Sequence, residues 1–212
     1  MSRSGRIWDT DEKRQHGPRH VLNNKAEKER VGKMKITTKQ ITMTAALLAI
    51  CIVSQFFKNT SVYITGPIIN ACLILAGMSA GMVSGILLAV ITPITAFFIT
   101  GSPIIAAIPA IMPCIMVGNA ILVIGVCIVL KKKPGQIGMI AGMIVGSIVK
   151  AIFMGIVISL ILIPMMLPEK MQPKMAVFQT TFSVTQLITA LIGSALAYIV
   201  WIPLQKVMRE NQ

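Results

Sequence analysis

The chain has 212 residues, 55% of them hydrophobic and only 13% charged, with a mean hydropathy of +0.78. That balance excludes a soluble globular core and points to a polytopic membrane protein. The formal charge of +13 does not point to nucleic acid, because eleven basic and five acidic residues fall within the first forty positions and only nine and two thereafter; a basic segment beside apolar spans is an orientation signal.

Residues 1–33 are polar and mixed in charge, with Gly17 and Pro18 interrupting any helical pattern. They are expected to be a disordered N-terminal extension. The first apolar run begins only near Ile41, too far along for a secretory signal peptide. Met34 heads an ordinary-looking start, so the preceding residues read as an extension that need not be native, and residues 34–212 as a membrane domain of six helices.

The first span is expected over 38–57, ended by Lys58, Asn59 and Thr60; a hydrocarbon core needs about 20 residues per helix. Residues 66–98 are apolar for too long a run to be one crossing, and Gly77, Ser79, Ala80 and Gly81 supply a turn, so two helices are expected, over 65–79 and 81–100. Pro103, Pro109 and Pro113 predict an irregular or re-entrant stretch before a fourth helix over 113–130, stopped by Lys131, Lys132, Lys133 and Pro134. A fifth helix is expected over 136–162 and a sixth over 177–204, separated by Pro164, Pro168, Glu169, Lys170 and Lys174. The fold class is therefore all-α. The basic N-terminal segment, the triple lysine, Lys206 and Arg209 fall on one side of such a bundle, which predicts a multi-pass protein of the cell membrane with both termini cytoplasmic.

Between Glu29 and Glu169 there is no acidic residue, and the only histidines are His16 and His20. Proton relays, metal sites and covalent catalysis all lack their usual groups within the spans. No GxxxxGK[ST] loop is present to bind ATP. An enzyme is not expected, nor a cofactor or metal, and uphill transport would need another protein to supply energy. Cys51, Cys72, Cys114 and Cys127 lie in apolar runs without CxxC spacing and read as small packing residues.

Lys150 is the one charged side chain inside the spans. A lysine at the centre of a membrane helix costs about 2.5 to 3.5 kcal/mol on the insertion scale, so an intramembrane charge is a functional-site hypothesis. At about 1.5 Å per residue it stands about 20 Å from the cytoplasmic start of its helix, at the depth of a site opening outward. Two readings stand side by side: Lys150 meets an anionic group of a substrate, or its stem snorkels to the outer interface or packs among backbone carbonyls and water. The other polar candidates are Asn119 in the fourth helix, Asn70 near the outer start of the second, and Gln179, Thr185 and Gln186 in the outer part of the sixth. For Asn119, Thr185 and Gln186 an interhelical hydrogen bond competes with substrate contact. Trp201 and Tyr198 read as interface anchors.

Small residues recur four apart at Gly77, Gly81 and Gly85, at Gly138, Gly142 and Gly146, at Gly193 and Ala197, and at Ala45 and Ala49. Such spacing lets helices approach closely in lipid, and for most of these positions it reads as packing inside the bundle. The Ala45-Ala46-Leu47-Leu48-Ala49 run in the first helix, together with Gly66-Pro67-Ile68-Ile69-Asn70 opening a short second helix that leads to Gly77-Met78-Ser79-Ala80-Gly81, resembles the substrate-binding S component of energy-coupling factor (ECF) transporters. The resemblance covers residues 34–208. It implies that Ala45 and Ala49 meet a transmembrane coupling subunit driven by two cytoplasmic ATPases. It also implies a vitamin or related micronutrient as cargo, bound between the last three helices under external loops that act as lids, and delivery by toppling of the subunit in the bilayer. A self-sufficient facilitator or channel and a non-transport membrane scaffold are the rival readings that the residues leave open.

Overall fold

The computed structural model describes residues 37–57 and 61–210. The expected N-terminal extension, the 33/34 boundary, and Lys58, Asn59 and Thr60 lie outside the described residues. Within them there is no strand, and the helices, in chain order, are α1 (Thr38–Gln55), α2 (Val62–Ser79), α3 (Met82–Thr100), the short α4 (Pro103–Ala107), α5 (Ile111–Lys132) and α6 (Gln136–Met154). After α6 the chain runs on as a π-helix over Gly155–Leu162, a last turn α7 (Ile163–Met166), a 3₁₀ turn over Glu169–Lys174, then α8 (Met175–Phe182) and α9 (Val184–Glu210).

Five stretches among the described residues are long and apolar enough to cross a membrane: Val62–Ser79, Met82–Thr100, Ile111–Lys132, Gln136–Met166 and Glu169–Lys206. Of the six expected spans, α1 is the one that falls short. Thr38, Lys39 and Gln40 at one end and Ser54 and Gln55 at the other shorten its apolar stretch to 41–53. It nonetheless packs against α2 and α3 as part of the bundle. Thr65 Oγ1 donates to Ser54 O at 3.1 Å, tying the start of α2 to the end of α1.

Two glycine turns are decided by backbone conformation. Gly81 joins α2 to α3 at φ +98°, and Gly101 ends α3 at φ +57°, both in the left-handed region that side chains disfavour. The proline-rich stretch after α3 holds one short helix, α4, with Pro103 at its first turn, where a missing N–H costs nothing.

The four-residue spacings are packing devices. A Cβ on Gly85 would lie 2.5 Å from Val123 Cγ1 and 3.1 Å from Gly77 Cα, so α2, α3 and α5 meet where those two glycines face each other. Gly142 and Gly146 bring α6 against the α5 backbone, with Val126 O and Leu122 O 3.1 and 3.0 Å from where their Cβ atoms would be. Ala197 is fully buried, while Ala45 and Ala49 are exposed. Trp201 and Tyr198 are half-buried and pack on the main apolar cluster around Leu73, Leu88, Leu122 and Val126. All four cysteines are free thiols, Cys51 and Cys72 fully inside.

The expected fifth helix does not stop at 162. Helical winding continues to Met166, in the wider π form from Gly155. The expected single sixth helix over 177–204 is divided at Ser183, whose φ −117° and ψ −90° are not helical, into α8 and α9. A second apolar cluster, of Ile104, Ile105, Ile108, Ile111, Met154, Ile158 and Ile163, packs α4 and the start of α5 against the end of α6 and the π segment.

Candidate functional site

Lys150 is 2% exposed. Its Nζ donates to Asn70 Oδ1 at 2.6 Å and to Asn119 Oδ1 at 2.8 Å, joining α6 to α2 and α5. The side chain therefore neither snorkels to an interface nor rests on backbone carbonyls. Two side-chain amide oxygens accept from it in place of water, which is what a buried ammonium requires.

Each partner is held by a close helix approach. Asn70 lies eight residues into α2, deeper than the helix start where it was expected, and is 3% exposed. A Cβ on Gly193 would stand 2.7 Å from Asn70 Cβ and from Pro67 O, so only a glycine lets α9 close behind it. Asn119 follows Gly118, where a Cβ would come within 2.8 Å of Met154 Cγ. Met154 is one helical turn beyond Lys150, on the same face of α6.

The three residues line a cavity of about 280 Å³ at the end of the bundle where α2 and α5 begin and α3 ends, remote from Lys131 to Lys133 at the far end of α5. Its walls are mostly apolar, including Ile69, Pro93, Ala96, Ile105, Met154 and Phe178. A concave, largely apolar chamber with a few convergent polar groups is the usual form of a small-molecule site. It draws on α2 and α3 as well as on the last three long helices, which the resemblance alone does not imply.

The remaining candidates separate. Gln186 lines the cavity and is half-buried, its Nε2 donating to Thr181 O at 3.3 Å. Thr185 is buried but faces a different, shallower groove with Tyr63 and Val177. Gln179 lies in α8 instead of the long last helix and does not line the cavity. Its Nε2 donates to Ser159 O at 3.0 Å, and Ser159 Oγ donates back to Gln179 O at 2.8 Å. The reason is a proline. In the π register the Ile163 N–H bonds to Ile158 O; the next bond in that register would run from residue 164 to Ser159 O, and Pro164 has no N–H to give. Gln179 supplies the missing donor.

Sequence reasoning missed Phe178 and Phe182 in the wall, Ser102 at the rim, and Ser159 as the partner of Gln179. The spacing of Phe178 and Phe182, one turn apart, was a readable signal for a shared helix face. No comparable signal marked Ser159.

No group of three or more His, Cys, Asp or Glu side chains among the described residues could hold a metal ion. The arrangement offers hydrogen-bond donors in an apolar chamber, with neither a nucleophile and base pair nor a metal-ligand set. Comparison with curated proteins and with solved structures gave no significant match. The family model for "ECF transporter, substrate-specific component" matches residues 39–205, from the second residue of α1 into the last turns of α9 and across all three helices that supply Lys150, Asn70 and Asn119. With most of the chain inside that match, five apolar membrane-length stretches and a polar-based chamber at one end of the bundle, the chain belongs to the substrate-specific components of ECF transporters, multi-pass membrane proteins of transport.

Proposed function

We propose that this chain is the subunit that captures a vitamin or related micronutrient at the cell membrane and delivers it through an ATP-driven importer. Its partners are a transmembrane coupling subunit, met by the exposed Ala45 and Ala49 face of α1, and two cytoplasmic ATPases. Both termini are cytoplasmic, and the cavity opens outward. The observation that carries the reading is Lys150, buried between Asn70 and Asn119 at the base of an apolar chamber, since a charge held at that depth without an acid beside it calls for a ligand. The absence of acidic residues between Glu29 and Glu169 supports an external energy source.

The test has two steps. Mass spectrometry of the small molecule retained by gently purified protein identifies the cargo, and its labelled form is then offered to liposomes. Uptake is expected only when the coupling subunit, the ATPases and ATP are present. Robust uptake by this chain alone would support a facilitator instead and overturn the coupled reading.

A further inference from the structure

We infer that the cavity selects a small monocarboxylate, an amphipathic molecule with one anionic head and an otherwise uncharged body; the inference rests on the reading of this cavity as the capture site. The base of the chamber presents donors. Lys150 Nζ has three hydrogens and spends two, on Asn70 Oδ1 and Asn119 Oδ1. Because both asparagines point their oxygens at the ammonium, their amide nitrogens are turned the other way. Among the described residues neither nitrogen donates a hydrogen bond, neither is a sealed orphan, and both residues line the cavity. One N–H of Lys150 and two NH₂ groups thus remain for whatever enters.

The rest of the lining narrows the ligand further. Thr65, Thr92 and Thr181 give their hydroxyl hydrogens to the backbone carbonyls of Ser54, Leu88 and Val177 and add no free donor. No lining residue is acidic, so a cation finds no counter-charge. Lys150 is also the only basic lining residue, which offsets one negative charge and leaves a second unpaired in an apolar chamber. A carboxylate matches this arrangement, with two oxygens accepting from several donors in charge-assisted bonds. Phe178, Phe182, Ile69 and Met154 then enclose an uncharged body, and a volume of about 280 Å³ favours a compact one, since it lies just below the roughly 300 to 1,000 Å³ spanned by small-molecule sites.

Four probes on one ring test the idea: benzoate, benzamide, benzylamine and phenyl phosphate, each followed by saturation-transfer NMR against the intact chain in nanodiscs. Benzoate is expected to bind at least tenfold more tightly than the other three. Lys150→Met, which keeps the stem and removes the charge, and Asn119→Asp, which places a carboxylate beside the ammonium, are each expected to lose benzoate at least tenfold. Both variants are checked to be folded at the titration temperature by an unchanged helical circular dichroism spectrum. Equal binding of benzamide, preference for benzylamine or phenyl phosphate, benzoate binding that survives Lys150→Met, or silence from all four probes overturns the inference. None of these outcomes touches the importer reading, which stands or falls on ATP-dependent uptake.

Discussion

At the scale of single residues, the bundle is built around one buried cation and its two amide acceptors. Removing an acceptor leaves part of the charge unsatisfied, and a buried polar group without its partner costs about 1 to 3 kcal/mol. Asn70→Leu is therefore expected to lower the thermal midpoint clearly in mild detergent. The triple variant Asn70→Leu, Asn119→Leu and Lys150→Met should recover much of that loss, because replacing a whole buried polar set by apolar groups is nearly neutral. A thermal-shift comparison of the single and triple variants reads this directly, and a triple variant no better than the single would refute the cluster as a stability element. The sequence singled out Lys150 by its isolation among apolar residues, and it named both asparagines. It did not say that the three meet, because they are 80 and 31 positions apart and converge only when α2, α5 and α6 pack. Snorkelling was physically open to a lysine of that length until the neighbouring helices closed over it.

At the scale of elements, two features reshape the expected helices. Gly85 sits where three helices meet, and adding even a methyl there puts a carbon 2.5 Å from Val123 Cγ1. Gly85→Val is expected to destabilise the bundle by about 1 to 3 kcal/mol, the usual cost of overpacking, measured as a fall in thermal midpoint; Gly101→Ala serves as a contrast for backbone strain without crowding, since nothing lies within 4 Å of that site. The second feature is the reciprocal pair between Ser159 and Gln179, which fastens α8 to the π segment beside the cavity. Gln179→Leu leaves Ser159 O without a donor, so hydrogen exchange of residues 175–182 is expected to speed up severalfold while that of α2 and α5 stays as it was. Unchanged exchange in α8 would show that the pair does not hold it. The expected span over 177–204 placed Gln179 on a continuous last helix. The break at Ser183 and the missing N–H of Pro164 set it against Ser159, outside the lining of the chamber.

At the scale of the whole molecule, the bundle has a chamber at one end and an exposed small-residue face on α1. If that face docks the coupling subunit, bulk there breaks assembly without touching the chamber. Ala45→Trp with Ala49→Trp is expected to abolish copurification with the coupling subunit and ATPases and to stop ATP-driven uptake, while the retained small molecule stays bound to the isolated chain. Copurification undiminished by two tryptophans would remove α1 as the docking face. Of the six spans expected, five meet the requirement for crossing by length and composition, and α1, the helix carrying that face, is the one shortened by polar ends.

By itself the sequence determined the class of the protein, most of its helix boundaries and the family resemblance, because these follow from local hydropathy, from proline and glycine, and from the spacing of small residues. It also showed that no acidic residue stands between Glu29 and Glu169 and that the histidines are His16 and His20. Only the tertiary structure decided which polar residues converge. Lys150, Asn70 and Asn119 came together and Gln179 and Thr185 were turned away, because hydrogen-bond partners at membrane depth are chosen by how closely helices approach, and that is set by contacts such as Gly193 against Asn70 that no single helix contains.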